Sequence, residues 1–297
     1  MKLAKADRYV LYPPMNASRT RRRNGAQYAP VRRVLLAVAG MLLALPAVHA
    51  QNYPTRPIRL IVGAAPGGGT DFVARTVAPH LTQSLGQTIV IDNRGGSAGA
   101  AAGSMVAGAP ADGYTLLMMT SNFATFPSLY PKLDYHPLNS LDMISNIAVV
   151  PYVLVVNPGM ASRTTKDLIA YAKSRPSQLN FASSGVGSMG HLAGELFARM
   201  AGIQIQHITY KGAGPAVVAL MSDEVQLYFS TLPGAVAHIK SGRLRPIAIA
   251  SEKRSKIAPD IPTVAESALP GFEASSWFGM VATKGTPAAI IDGLYKK

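Results

Sequence analysis

A short apolar run, a glycine-rich turn and a helical pattern follow one another repeatedly along this chain. Ile58–Val62 leads into Ala65-Pro66-Gly67-Gly68-Gly69, and residues 88–92 lead into Arg94-Gly95-Gly96-Ser97-Ala98-Gly99. Residues 179–183 lead into Ser184-Gly185-Val186-Gly187-Ser188, and residues 203–210 into Lys211-Gly212-Ala213-Gly214. Units of this kind need right-handed crossovers and build a mostly parallel sheet, which makes the expected fold class α/β. Such sheets place ligands outside the carboxyl ends of their strands. Here those ends carry Gly, Ser and Thr. Backbone N–H groups at a helix start, with the partial positive charge there, form an anion site without any basic side chain.

Local signals sharpen the pattern. Thr70 is the expected N-cap of a helix over 71–85 that Gly86 stops and Pro79 kinks. A small-residue helix to about Ala107, a turn at Asp112-Gly113 and a strand over 114–120 follow. Residues 147–156 form a long apolar run with Pro151 inside it. A central strand rarely keeps a proline, so this segment reads as one that leaves one sheet and enters another. Next come a helix over Thr165–Ser174, a helix over 189–200 with Leu192, Leu196 and Met200 on one face, and a helix opened by Pro215. A strand over 226–230, a helix over 235–241 and a strand over 245–250 complete the reading.

Composition excludes more than it assigns. At 297 residues, 48% apolar and 15% charged, the chain can bury a sizeable core. It has no cysteine, which removes disulfides, thiolate metal sites, iron–sulfur clusters and thiol catalysis. Its six histidines include no H-x-H or H-x-x-x-H pair, so neither a metal nor a cofactor is expected. The formal charge of +14 suggests nucleic acid until it is located: nine Lys/Arg and one Asp lie in residues 1–50. The rest carries a net +6, with no aromatic-interleaved basic patch, and no nucleic-acid partner is expected. Arg19, Arg21–Arg23, Arg32 and Arg33 precede the uncharged stretch 34–48, which ends in Val48-His49-Ala50. A basic region, a short apolar stretch and a small-residue site describe an export signal over residues 1–50, cleaved after Ala50. A spanning helix needs about 20 apolar residues, more than this stretch offers.

Two motifs carry chemistry in name. Gly185-x-Gly187-x-x-Gly190 follows a strand and precedes a helix, as a dinucleotide fingerprint does, but the next strand ends His207-Ile208-Thr209-Tyr210 without the acid that fingerprint needs. A tight turn and an anion-binding helix start remain open. Gly95-Gly96-Ser97-Ala98-Gly99 matches G-x-S-x-G, with His191, His207 and His238 later in the chain, so a secreted serine hydrolase acting through Ser97 is the alternative function. Asp92-Asn93-Arg94 separates the strand from that turn, against a sharp nucleophile elbow. His191 reads as base or cap, Asp71 as ligand contact or dipole partner, and Phe123, Tyr210 and Phe229 as pocket wall or core.

The turns taken together resemble a family. Pro66-Gly67-Gly68-Gly69-Thr70-Asp71 with Ala74-Arg75, then Asp92-Asn93-Arg94, then Asp112-Gly113-Tyr114-Thr115 look like the first half of Bug-type extracytoplasmic solute receptors, the substrate-binding subunits of tripartite tricarboxylate transporters. Ala182 to Ser188, His191 to Phe197, Tyr210-Lys211-Gly212, Pro262 to Glu266, Trp277 and Gly285-Thr286-Pro287 look like the second half. The resemblance spans residues 53–290. It implies a periplasmic-binding-protein fold of type II: two lobes of mostly parallel sheet with helices, joined by two crossing strands near 149–153 and 247–251. Lobe 1 would hold 53–150 with 249–297 returning to it, and lobe 2 would hold 151–248. It further implies a monomeric, non-enzymatic periplasmic receptor that traps a small carboxylate by hinge closure and presents it to membrane transporter subunits. By position the ligand falls to Pro66, Gly67, Gly68, Gly69, Thr70 and Asp71 in lobe 1 and to Ser183, Ser184, Gly185, Gly187 and Ser188 in lobe 2. Ser121, Asn122, Lys211, Gly212 and Ala213 stand behind them. Ser188 is expected to cap its helix and face the anion.

The chain departs from the family pattern at several points. Ala64 replaces a common aromatic, which is expected to widen the pocket. Gly95 replaces a common Pro, and Ser230 a common acid. The family usually continues past the position of Lys297 through further helices, so a C-terminal truncation is expected, with exposed apolar surface, and a non-functional paralogue is a third reading.

Overall fold

The computed structural model describes residues 53–297; the expected export signal lies outside the described residues. In chain order the elements are β1 (Ile58–Val62), α1 (Gly69–Leu85), β2 (Ile89–Asn93), α2 (Ala100–Ala107), β3 (Thr115–Thr120), α3 (Phe126–Leu129) and β4 (Leu141–Val156). Then follow α4 (Thr165–Ser174), β5 (Asn180–Ser183), α5 (Met189–Ala201), β6 (Gln206–Thr209), α6 (Ala213–Met221), β7 (Leu227–Thr231) and α7 (Leu232–Lys240). The chain closes with β8 (Arg245–Ile249), α8 (Val264–Ser267), β9 (Ser275–Thr283) and α9 (Ala288–Tyr295).

The strands lie in the order β2-β1-β3-β9-β4-β7-β5-β6, with β8 beside β4. Pairing is parallel between β1 and its neighbours and between β5 and its neighbours, as the strand–turn–helix units require. The antiparallel pairs all involve β4 or β9. This is the two-lobed α/β architecture the turns imply.

β4 makes the junction. Residues 141–151 pair with β9 in lobe 1, and residues 152–156 pair with β7 and β8 in lobe 2. Pro151 is the last residue paired to β9 and Tyr152 the first paired to β7. A residue without an N–H is tolerated at the point where the strand changes partners.

The return crossing lies later than expected. β8 pairs with residues 153–156 of β4, so 247–251 stays in lobe 2. Val264, Leu269, Phe272 and Ala274 then bury themselves with Leu154, Phe197 and Phe229. The Phe272 ring packs 5.8 Å from Phe229 and 6.1 Å from Phe197. That apolar anchor keeps the chain in lobe 2 until Ser275, where β9 opens opposite Pro151.

Both sheet faces are covered. Leu60, Val62, Leu116, Met118 and Met280 pack under α1, while Ile61, Leu117, Met119 and Val281 pack under α2 with Phe123 and Phe126. In lobe 2, Leu154 and Val156 face one way and Val153 and Val155 the other. Double coverage is why these strands read as unbroken apolar runs.

Helix ends mostly follow their signals. Gly86 ends α1 at φ 69° and Gly202 ends α5 at φ 62°. One expectation changes: α1, with Pro79 inside it, starts earlier, with Gly68 rather than Thr70 as N-cap.

Candidate functional site

The starts of three helices meet where the lobes face each other. Gly68 is the N-cap of α1, Gly212 of α6 and Thr231 of α7, and all three line one cleft. None receives a side-chain cap. By contrast α4, α5 and α8 are closed by the hydroxyls of Thr164, Ser188 and Thr263. Each helix start leaves N–H groups without an intrahelical acceptor. Around the cleft those donors, from Gly69 and Thr70 in α1 and Ala213 in α6, have no hydrogen-bond acceptor among the described residues, and the helix dipoles add partial positive charge.

Close backbone approach makes this possible. A Cβ on Gly68 would stand 3.0 Å from the Ala213 Cβ, and Gly212, at φ 121°, lies where a Cβ would stand 3.0 Å from the Ala65 Cβ. Glycine is required at Gly212 by both conformation and space.

Hydroxyls complete the lining. Thr120, Tyr152, Ser184, Tyr228, Thr231 and Ser276 contribute, together with Asn122. The Thr120 Oγ1 is buried without a hydrogen-bond partner among the described residues. Burial raises the pKa of Tyr152, slightly offset by a hydrogen bond to Ser276, and burial with the neighbouring Tyr152 raises that of Tyr228. Both phenols therefore stay neutral donors. Met118, Phe123 and Phe278 supply apolar wall, and Ala64 lines the cleft where an aromatic was expected to be missing. None of the described residues that line it carries a charge. About 50 Å³ is open to water-sized molecules, room for a few waters.

Of the residues to which the ligand falls by position, Gly68, Gly69, Thr70, Asn122, Ser184, Gly212 and Ala213 line this cleft. The others lie off it. Pro66 and Gly67 form the shoulder before α1, and the Pro66 carbonyl packs against Gly214. Asp71 is buried at 4% exposure but turned to its own lobe. Its carboxylate accepts from the Gly67 amide, Arg75 and Asn93, each at 3.0 Å. Burial alone would raise its pKa; the bonds from Arg75, Gly67 and Asn93 outweigh that and hold it below the usual range. Ser121 is buried against Ser276 at 2.9 Å, and the Lys211 side chain is exposed.

The turn 183–188 is a tight turn that bonds three of its own amides. The Gly185 amide donates to Ser183 Oγ, the Gly187 amide to His191 Nδ1 and the Ser188 amide to the Gly185 carbonyl. Ser188 caps α5, its Oγ accepting from the His191 amide, but it is fully buried and does not face the cleft. The Met189 amide is taken by Asn122 Oδ1 at 2.9 Å. At the cleft the uncapped helix starts of lobe 2 are thus those of α6 and α7, not that of α5. His191 and His207 stack on each other at 4.1 Å, and His207 Nε2 lies 2.6 Å from Ser183 Oγ.

The hydrolase alternative finds no support in geometry. Ser97 lines an outer hollow with Ala101, Ser104 and Leu129, and no hydrogen bond joins it to a histidine among the described residues. Of the aromatics, Phe123 lines the cleft, Phe229 is core, and Tyr210 bonds Glu224 at 2.8 Å.

Thr120, Tyr152, Tyr228, Thr231 and Ser276 escaped sequence reading. Two of them had a signal: Tyr152 and Tyr228 are phenols in otherwise apolar strands, and a buried phenol needs a partner.

Comparison with known proteins agrees with this arrangement. Residues 73–296 match the tripartite tricarboxylate transporter family receptor family. Protein BugT of Bordetella pertussis is 43% identical over 263 residues, covering 86% of this chain and 81% of its own. The solved structure of Rpa4515 from R. palustris with adipate is 39% identical at TM-score 0.80, over 82% of this chain and 81% of that one. MatC from Rhodopseudomonas palustris with bound malate is 31% identical at TM-score 0.76, over 82% and 83%. With most of its length matched in sequence and in fold, the chain belongs to the tripartite tricarboxylate transporter receptor family.

Proposed function

We propose that the protein is a periplasmic receptor that captures a small carboxylate between its lobes and presents it to membrane transporter subunits. The observation that carries this reading is the cleft itself: open amides at helix starts and a ring of neutral hydroxyls, with no charged side chain among the described residues that line it. Donors without a fixed cation favour an anion, and the absence of an acid removes repulsion. The relatives solved with adipate and with malate support the same class of ligand.

Hinge closure is the mechanism. β4 and β9 join the lobes, and the α1 start in lobe 1 and the α6 start in lobe 2 supply donors from opposite sides. A guest larger than a few waters enters only when the lobes part, and one that bridges both helix starts favours the closed form. Lobe 1 comprises 53–151 with 275–297, and lobe 2 comprises 152–274. The receptor works as a monomer and not as an enzyme, exported by the signal over residues 1–50.

A thermal-shift screen of mono- and dicarboxylates at millimolar concentration tests this. At least one should raise the melting temperature, as mass action requires of a ligand that binds only the folded state. A folded protein whose melting curve no carboxylate moves would contradict the proposal.

A further inference from the structure

We infer that the turn 186–189 of lobe 2 and the segment 122–130 of lobe 1 form a latch that biases the lobes toward closure independently of any ligand. This rests on the hinge-closing reading above and concerns what sets its equilibrium. Three hydrogen bonds join the two segments. Tyr130 Oη donates to the Val186 carbonyl at 3.0 Å, the Met189 amide donates to Asn122 Oδ1 at 2.9 Å, and the single Thr125 Oγ1 proton is shared between the Gly187 carbonyl at 3.0 Å and the Asn122 carbonyl of its own segment at 2.7 Å.

Both sides are built for the contact. On lobe 2, Gly185 at φ 141° and Gly187 at φ 77° fold the turn, and His191 Nδ1 holds the Gly187 amide inward, so the Val186 and Gly187 carbonyls are left for lobe 1. A Cβ on Gly185 would lie 2.9 Å from the Ala98 amide nitrogen, so no side chain fits there with the lobes together. On lobe 1, Asn122 is steadied by donating to the Ala98 carbonyl at 3.2 Å, Thr125 by the Asn122 carbonyl at 2.7 Å, and Tyr130 by edge-on packing with Phe126 at 5.5 Å.

Thr125 and Tyr130 do not line the cleft. They are positioning residues: they act on the ligand only through the fraction of molecules already closed. A receptor whose binding-competent state is partly populated binds more weakly by that fraction, so the latch tunes affinity without altering which ligand is preferred.

The chain has no native cysteine, so Gln83→Cys and Arg199→Cys place one spin label on each lobe without further changes. Pulsed dipolar spectroscopy on the ligand-free protein then reads the lobe separation. Removing both side-chain donors with Thr125→Val and Tyr130→Phe should move the closed-to-open ratio toward open by roughly 5- to 150-fold, at ordinary net hydrogen-bond strengths. Cooperative unfolding confirms that the variant is folded. Should it not be, Tyr130→Phe alone keeps the ring on Phe126 and should give a shift of roughly 2- to 13-fold. Distance distributions identical in parent and variant would overturn the latch. Because no ligand is present, failure of every carboxylate to bind would sink the receptor reading while leaving this result standing.

Discussion

Thr120→Val separates what the cleft does for a ligand from what it does for the fold. Thr120 ends β3, is 8% exposed and lines the cleft, and its Oγ1 has no partner among the described residues. Valine has nearly the same shape, so the packing of β3 is kept and no protein hydrogen bond is lost. Leaving a buried hydroxyl unpaired costs about 1–3 kcal/mol, so the variant should be as stable as the parent or more so by up to about 1 kcal/mol. In a protein of this size that is a rise of up to about 2–4 °C in melting temperature. A hydrogen bond to a charged acceptor contributes about 1.5–3 kcal/mol, so losing it should weaken carboxylate binding by roughly 10- to 150-fold. Calorimetric titration with malate, adipate and other C4–C6 dicarboxylates measures the second quantity and thermal unfolding the first. An affinity within twofold of the parent for the tightest ligand would refute the assignment, and a large loss of stability would show that the hydroxyl holds the fold after all.

Three further outcomes follow from the same geometry. Ser188→Ala removes the α5 cap and should cost about 1 kcal/mol of stability while leaving affinity unchanged, by paired unfolding and titration. Asp71→Asn cannot satisfy Gly67, Arg75 and Asn93 together and should lower the melting temperature at neutral pH by about 5 °C or more. The carboxylate's native pKa is depressed, so its contribution is full above about pH 4 and is lost as pH falls through that lower value; Asp71→Asn should remove this acid limb. Burial, reinforced by His191, pushes His207 down to about 4, against about 6.5 when unfolded. The unfolded chain therefore binds protons first, so stability should fall as pH drops from about 6.5 towards 4, and His207→Gln should flatten that slope in pH-dependent denaturant melts.

The fold was legible because its units repeat. Each glycine-rich turn marked a strand end and a helix start, and Pro151 marked the change of sheet. β9 was missed because Ser275–Thr283 lies outside the strand–turn–helix rhythm, and its antiparallel place between β3 and β4 is set by tertiary packing. The return crossing was misplaced for the same reason: only the burial of Leu269 and Phe272 keeps the chain in lobe 2.

The site was half legible. Gly68, Gly69, Gly212 and Ala213 announced themselves by composition. The turn 183–188 looked equally suitable, but Ser183 and His191 take the Gly185 and Gly187 amides, and Asn122, distant in sequence, takes that of Met189 just beyond it. The reverse signal was available: helix starts with Ser or Thr caps are already satisfied, whereas starts built from Gly and Pro keep their donors. α7 is the exception: its N-cap is Thr231, whose hydroxyl makes no cap, and it opens at Leu232, three residues before the start read from sequence.

The central claim is that uncapped first-turn amides hold the guest's carboxylate. Nitrogen–proton correlation spectra recorded during titration with a binding dicarboxylate test it directly. The amide protons of Gly69, Thr70 and Ala213 should move downfield together and saturate with the ligand. Saturation reached with those three resonances unmoved would contradict the account.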